Sequence, residues 1–145
     1  MSVVAWDGRT LATDRQATNA GMIREAAKSR ELAPGHVIAW TGEQMQGLVL
    51  AQWYTGGAVV SLWPAFQRTE RWTRLVVASE GRLFEYEQEP YLEEIVEPFF
   101  AFGAGRDFAM GALAAGASAR QAVEIACRWS DSCGLGIDVY PLTRR

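Results

Sequence analysis

The sequence predicts an α+β fold in which antiparallel sheets stack on one another and are covered by helices, and three observations carry that prediction. Short β-favouring runs come in pairs joined by tight turns, at Trp6-Asp7-Gly8-Arg9 and again at Glu80-Gly81. The order along the chain is strands, one helix, more strands, two helices and a last strand, which separates helix from sheet and does not repeat a βαβ unit. The chain has 145 residues, of which 49% are hydrophobic and 21% charged, so it can bury one core and is expected to form a single domain over residues 1–145.

The runs Ser2–Ala5 and Thr10–Ala12 flank the Asp7-Gly8 turn and predict an opening β-hairpin. Asp14 to Gly21 is polar and suits a turn, and Met22 to Leu32 carries charges at spacings that do not separate helix from strand. After Pro34-Gly35, His36-Val-Ile-Ala-Trp-Thr41 reads as a buried strand. Glu43 to Tyr54 has apolar residues at helical spacing and ends at Gly56-Gly57. Thr73–Ser79 and Arg82–Glu87 predict a second hairpin, and the stretch bracketed by Pro90 and Pro98 should be partly extended. Phe99-Phe-Ala-Phe is a strand entering the glycine turn Gly103-Ala104-Gly105, with a helix from Arg106 to Ala115 after it. Ser118 and Gln121 have the spacing of a capping box ahead of the stripe Ala122, Ile125, Ala126 and Trp129. The final strand, Ile137 to Leu142, belongs at an edge or stops at Pro141, because proline cannot donate to a ladder.

Composition excludes several functions. A net charge of -3 argues against nucleic acid as a partner, since phosphate recognition needs a dense basic face and only Arg144-Arg145 clusters here. No apolar run approaches the ~18 residues that cross a bilayer, and the N-terminus has no signal-peptide pattern, so a cytoplasmic protein without membrane association is expected. Cys127 and Cys133 fit neither a zinc site nor a disulfide framework, and His36 after Pro34-Gly35 reads as a structural residue. No metal and no organic cofactor is implied.

Three segments, in order, resemble the proteasome β-subunit superfamily, nearest to the bacterial ATP-dependent proteasome-like peptidase and its small phage and bacterial relatives. They are Leu11-Ala-Thr-Asp14-Arg-Gln-Ala-Thr18, the turn Phe102-Gly-Ala-Gly105 with its helix, and Ala119 to Ala126 continuing through Asp131 to Gly136. The resemblance implies a four-layer αββα sandwich of antiparallel sheets, here with one helical layer abbreviated around Trp63-Pro64. It also implies N-terminal-nucleophile peptidase chemistry, assembly into a ring or dimer, a peptide or protein substrate and an ATPase unfoldase as partner.

In that superfamily the side chain of the mature first residue is the nucleophile and its own α-amine takes the proton. An α-amine has a pKa near ~8, so no histidine is needed. Removal of Met1 would expose Ser2 as that residue. The resemblance places Asp14 beside Lys28, the lysine favouring the alkoxide, and makes Asp131 a support for the amine. Taken on their residues alone, Asp14 also suits a turn cap, Lys28 a solvated surface and Asp131 a loop after a helix. The turn Gly103, Ala104 and Gly105 could bring a backbone amide to an oxyanion. Ala104 and Gly134 stand where the family keeps supporting hydroxyls, and Ser2 stands in place of threonine, so weak or degenerate activity is expected. A non-catalytic assembly protein and a small-molecule amidohydrolase are the alternatives.

Overall fold

The computed structural model describes residues 2–142. Met1, whose removal the Ser2 chemistry requires, and the Arg144-Arg145 pair lie outside the described residues. The elements in order are β1 (Val4–Trp6), β2 (Thr10–Asp14), β3 (Gln16–Asn19), β4 (Met22–Glu25), β5 (Ser29–Ala33), β6 (His36–Thr41), α1 (Gln44–Thr55), β7 (Arg74–Ser79), β8 (Arg82–Tyr86), β9 (Glu93–Ile95), β10 (Phe100–Phe102), α2 (Arg106–Ala114), α3 (Ala119–Trp129) and β11 (Ile137–Pro141). The fold is therefore α+β with three α-helices, and every strand pairing is antiparallel.

One sheet has the strand order β10-β1-β2-β11, a second is the meander β5-β6-β7-β8-β9, and β3 and β4 form a third of two strands. The opening hairpin forms as the Asp-Gly turn predicts, with Ala5 opposite Ala12. Asp7 shapes that turn by accepting the Arg9 and Thr10 amides at 2.9 and 2.8 Å, while its second oxygen accepts the Ala119 amide at 2.9 Å. One carboxylate thus ties the first turn of the chain to the start of α3. The polar stretch after Asp14 is not simply a turn: β3 and β4 form a short hairpin closed at Ala20-Gly21, both with positive φ. Met22 to Leu32, ambiguous by periodicity, splits into β4 and β5 around Lys28. β11 lies at the edge of its sheet and Pro141 is its last residue, which accounts for the missing donor in both ways.

Three apolar clusters explain why several strands read as unbroken hydrophobic runs. Val3, Ala5, Ala12 and Ala101 pack with Ala109 and Leu113 of α2 and Ala119, Ala122, Val123 and Ala126 of α3. The alternate residues Val4, Trp6, Leu11 and Phe102 meet Val37, Ala39, Val76 and Ala78 of the meander. The opposite set, Ile38, Trp40, Leu75 and Val77, packs on Leu50, Ala51 and Trp53 of α1 and on Trp63. The strands buried on both faces carry no polar alternation to read. Alanine dominates the α2–α3 cluster and lets those helices approach their sheet closely. Gly47 does the same for α1, since a Cβ there would fall 2.0 Å from the Trp40 ring.

The segment expected to abbreviate a helical layer contains two 3₁₀ turns, Val60–Leu62 and Ala65–Arg68, on either side of Trp63-Pro64. Gln67, fully buried, fixes this segment by donating to the Thr73 and Glu87 carbonyls and accepting the Thr73 amide, all within 2.7 Å. His36 bonds the Tyr54 hydroxyl at 2.9 Å, with the two rings edge to face. No helix among the described residues is long and apolar enough to cross a membrane.

Candidate active site

The site grows from the ends of four strands. Asp14 closes β2 and is fully buried, which an unpaired carboxylate could not sustain. It is instead saturated. One oxygen accepts the Val3 amide at 3.1 Å and pairs with the Lys28 ammonium at 2.9 Å, and the other accepts the amides of Gln16 at 3.3 Å and Gly134 at 3.1 Å. Asp14 thereby gathers the first strand, the β2–β3 corner, the lysine and the loop after α3 around one charge. Lys28 is only 2% exposed, and burial pulls its pKa below the ordinary value against the opposing pull of Asp14. A lysine so placed is a poised cation in a dry setting.

Ser2 is wholly buried and immediately precedes the residue whose amide Asp14 holds. Its carbonyl accepts the Gly105 amide at 3.1 Å, and the following amide, of Val3, is the one held by Asp14. Its hydroxyl has no hydrogen-bond partner among the described residues, although an unsatisfied buried polar group costs about 1–3 kcal/mol. The other buried side-chain atom without a hydrogen bond, Arg74 Nε, still has Glu85 at 3.1 Å. A buried polar group left unsatisfied calls for an explanation, and a catalytic role is one of them.

The glycine turn is shaped to hold Ser2. Gly103 has φ +97°, and a Cβ there would lie 2.2 Å from the Ser2 carbonyl oxygen. A Cβ on Gly105 would meet Cys133 Sγ at 2.7 Å and Val3 Cβ at 3.1 Å. The Gly105 amide, a candidate oxyanion donor by sequence, is already engaged by the Ser2 carbonyl, and the Arg106 amide by the Gly103 carbonyl. The turn is therefore a clamp on the N-terminal main chain, with Ala104 exposed at its tip.

Asp131 stands apart from the buried group. Its side chain is exposed, and its carbonyl accepts the Gln16 side-chain amide at 2.9 Å. Gln16, 5% exposed, is the residue that sequence reasoning passed over. Its Oε1 lies 2.8 Å from where a Gly134 Cβ would be, so its amide fills the space a serine side chain at 134 would need. The signal was available only as a polar residue inside the segment that also holds Asp14.

Beside Ser2 opens a cleft of about 270 Å³ lined by Thr41, Gly42, Trp72, Arg74, Gly103, Ala104 and Arg106. Gly103 belongs both to this cleft and to the Ser2 clamp, which places the cleft beside the Ser2 main chain. Cys127 and Cys133 are free thiols; burial pushes Cys127 up to about 12 and raises Cys133 as well, so neither offers a thiolate nucleophile. Among the described residues, Glu85, Glu87 and Glu93 are the group whose oxygens, within 4.8 Å of one another, could approach a cation. Arg74 already supplies positive charge there, at 3.1 Å from Glu85 and 3.3 Å from Glu87.

The antiparallel sheets, the helices and the clamped N-terminal strand form a proteasome-like fold, the fold implied by the resemblance at Asp14, Gly103–Gly105 and Asp131. Comparison with solved structures shows the same fold: BPH from Thiobacillus denitrificans, in complex with epoxomicin, superposes with a TM-score of 0.73 at 20% identity, covering 97% of each chain. BPH alone gives the same score and identity over 97% of this chain and 96% of that one. Eukaryotic HslV from Trypanosoma brucei gives a TM-score of 0.72 at 21% identity over 99% of both. No family model and no curated protein sequence matches the chain.

Proposed function

We propose that the chain is a weak peptidase of the N-terminal-nucleophile kind, built as one four-layer αββα domain, and that Ser2 is its nucleophile once Met1 is removed. The carrying observation is the buried Ser2 hydroxyl without a hydrogen-bond partner, one residue before the Val3 amide that the Lys28-paired Asp14 holds. Three apolar clusters in series support the layered arrangement, with α1 and the two 3₁₀ turns as its shortened layer. A cytoplasmic location is the companion expectation.

The freed Ser2 α-amine takes the hydroxyl proton as Oγ attacks a peptide carbonyl carbon, giving a tetrahedral intermediate. Collapse breaks the C–N bond, the amine returns its proton to the leaving nitrogen, and water then hydrolyses the ester and restores the hydroxyl. Lys28 favours the alkoxide and Asp14 orients it, while Asp131 acts through the loop that Gln16 anchors. Losing a preorganised polar contact costs a factor of about 10²–10³ in kcat at comparable sites, and Ala104 and Gly134 lack two such hydroxyls. Turnover should accordingly be slow.

A second reading, an inactive protein that keeps the fold to assemble with copies of itself or to bind a partner such as an ATPase unfoldase, is favoured by the exposed Asp131 and the engaged Gly105 amide. Intact mass followed by treatment with epoxomicin, the ligand of the BPH complex, separates the two. An adduct on a chain lacking Met1, absent in Ser2→Ala, supports the hydrolase. Retained Met1, or a processed chain that takes no adduct and cleaves no peptide, leaves the assembly protein.

A further inference from the structure

We propose that the cleft beside Ser2 selects substrates with an acidic side chain, glutamate or aspartate, close to the cleaved bond, and that Arg106 recognises the carboxylate. The location of the scissile bond rests on the hydrolase reading; the charge preference rests on the cleft itself. Its lining contains two guanidinium groups, of Arg74 and Arg106, and no carboxylate. Gly42, Gly103 and Ala104 leave its floor with no side chain beyond Cβ, so a substrate backbone can approach closely. At about 270 Å³ it admits a residue rather than a larger ligand.

The two arginines differ in how far their charges are already met. Arg74 is three-quarters buried, stacked 5.2 Å from the Trp72 ring centre and 5.6 Å from that of Phe102, and paired with Glu85 and Glu87. It is a fixed wall. Arg106 is 59% exposed in its side chain and holds its orientation by donating from Nη1 to the Gly103 carbonyl at 3.2 Å. Its carboxylate neighbour, Asp107, is 4.0 Å away and 94% exposed, so solvent screens that contact. Arg106 is also the first residue of α2, where the helix dipole adds positive potential. A guanidinium fixed at one nitrogen and free to donate from others suits bidentate capture of a carboxylate.

The test measures binding apart from turnover. N-acetylated peptide amides differing only in Glu or Gln are titrated into Ser2→Ala protein, with the fluorescence of Trp72 in the cleft wall and calorimetry as readouts. The Glu peptide should bind about tenfold more tightly at low salt, the margin should shrink as salt rises, and it should vanish in Arg106→Gln but persist in Arg106→Lys, with circular dichroism verifying the fold of each. Equal affinity for the two peptides, a preference that survives Arg106→Gln, or no binding of either at millimolar peptide overturns the proposal. Epoxomicin adduct formation and turnover on the unmutated chain decide the hydrolase reading independently.

Discussion

At the scale of single residues the site is organised by Asp14, whose two oxygens meet three amides and an ammonium. Breaking such a buried pair leaves an uncompensated charge, so Asp14→Asn and Lys28→Met should each lower stability by about 3–5 kcal/mol. The double variant should lose less than the sum, and denaturant titration of the four proteins measures that coupling. Lys28→Ala and Ser2→Ala should each abolish any peptide cleavage. Ala104 is exposed at the tip of its turn, and Ala104→Ser should leave turnover equal or raise it. Gly134→Ser should lose stability, since its Cβ meets Gln16 Oε1 at 2.8 Å; adding Gln16→Ala should recover part of that loss. The Asp14–Lys28 pairing was expected only through the family resemblance, since on their own residues Asp14 also suited a turn cap and Lys28 a solvated surface. Gln16, Arg74 and Arg106 were not legible in the sequence, because their roles depend on which distant backbone comes to meet them.

Among the elements, those defined by local chemistry were readable from the residues alone. The Ser118–Gln121 capping box forms in full, the Asp7-Gly8 and Glu80-Gly81 hairpins close in register, and β6 runs over the predicted His36–Thr41. β3 was hidden because Gln16 to Asn19 is polar and finds its partner across a two-residue turn. Ser118→Ala should cost about 1 kcal/mol, and Asp7→Ala should cost more, because it loosens the first hairpin as well as the start of α3; thermal denaturation ranks the two. In the β7–β8 hairpin, burial and a hydrogen bond with Glu87 raise the Glu85 pKa from 4.5 to about 7, against the pull of Arg74. The folded protein then binds more protons than the unfolded chain between those values, so this group's stabilising contribution is full below about pH 4.5 and is lost as pH rises through about 7. Glu85→Gln should flatten that part of the stability profile and be relatively more stable at pH 8 than at pH 5, as paired denaturant midpoints would show.

For the molecule as a whole, the proposed self-association has an exposed apolar face to use: Met45, Val60 and Leu62, on α1 and the first 3₁₀ turn, are 65%, 62% and 68% exposed. Light scattering at micromolar concentration should report an oligomer, and Leu62→Asp should shift it toward monomer; a monomeric unmutated chain would remove self-assembly from the reading. The antiparallel α+β architecture was legible from the order of elements, but the cleft was not, since it joins residues near 41, 72 and 104 that no spacing rule connects. The sheet connectivity also sets a timetable. The meander β5-β6-β7-β8-β9 pairs each strand with its sequence neighbour, whereas β1 must wait for β10 and β2 for β11, near the other end of the chain. Low-separation pairings close quickly and distant ones slowly, so the middle of the chain should condense first and the sheet bearing Ser2 and Asp14 last. On a ribosome the Asp14 cage could not be completed until Gly134 had emerged, and the N-terminal strand would remain open to processing enzymes until then.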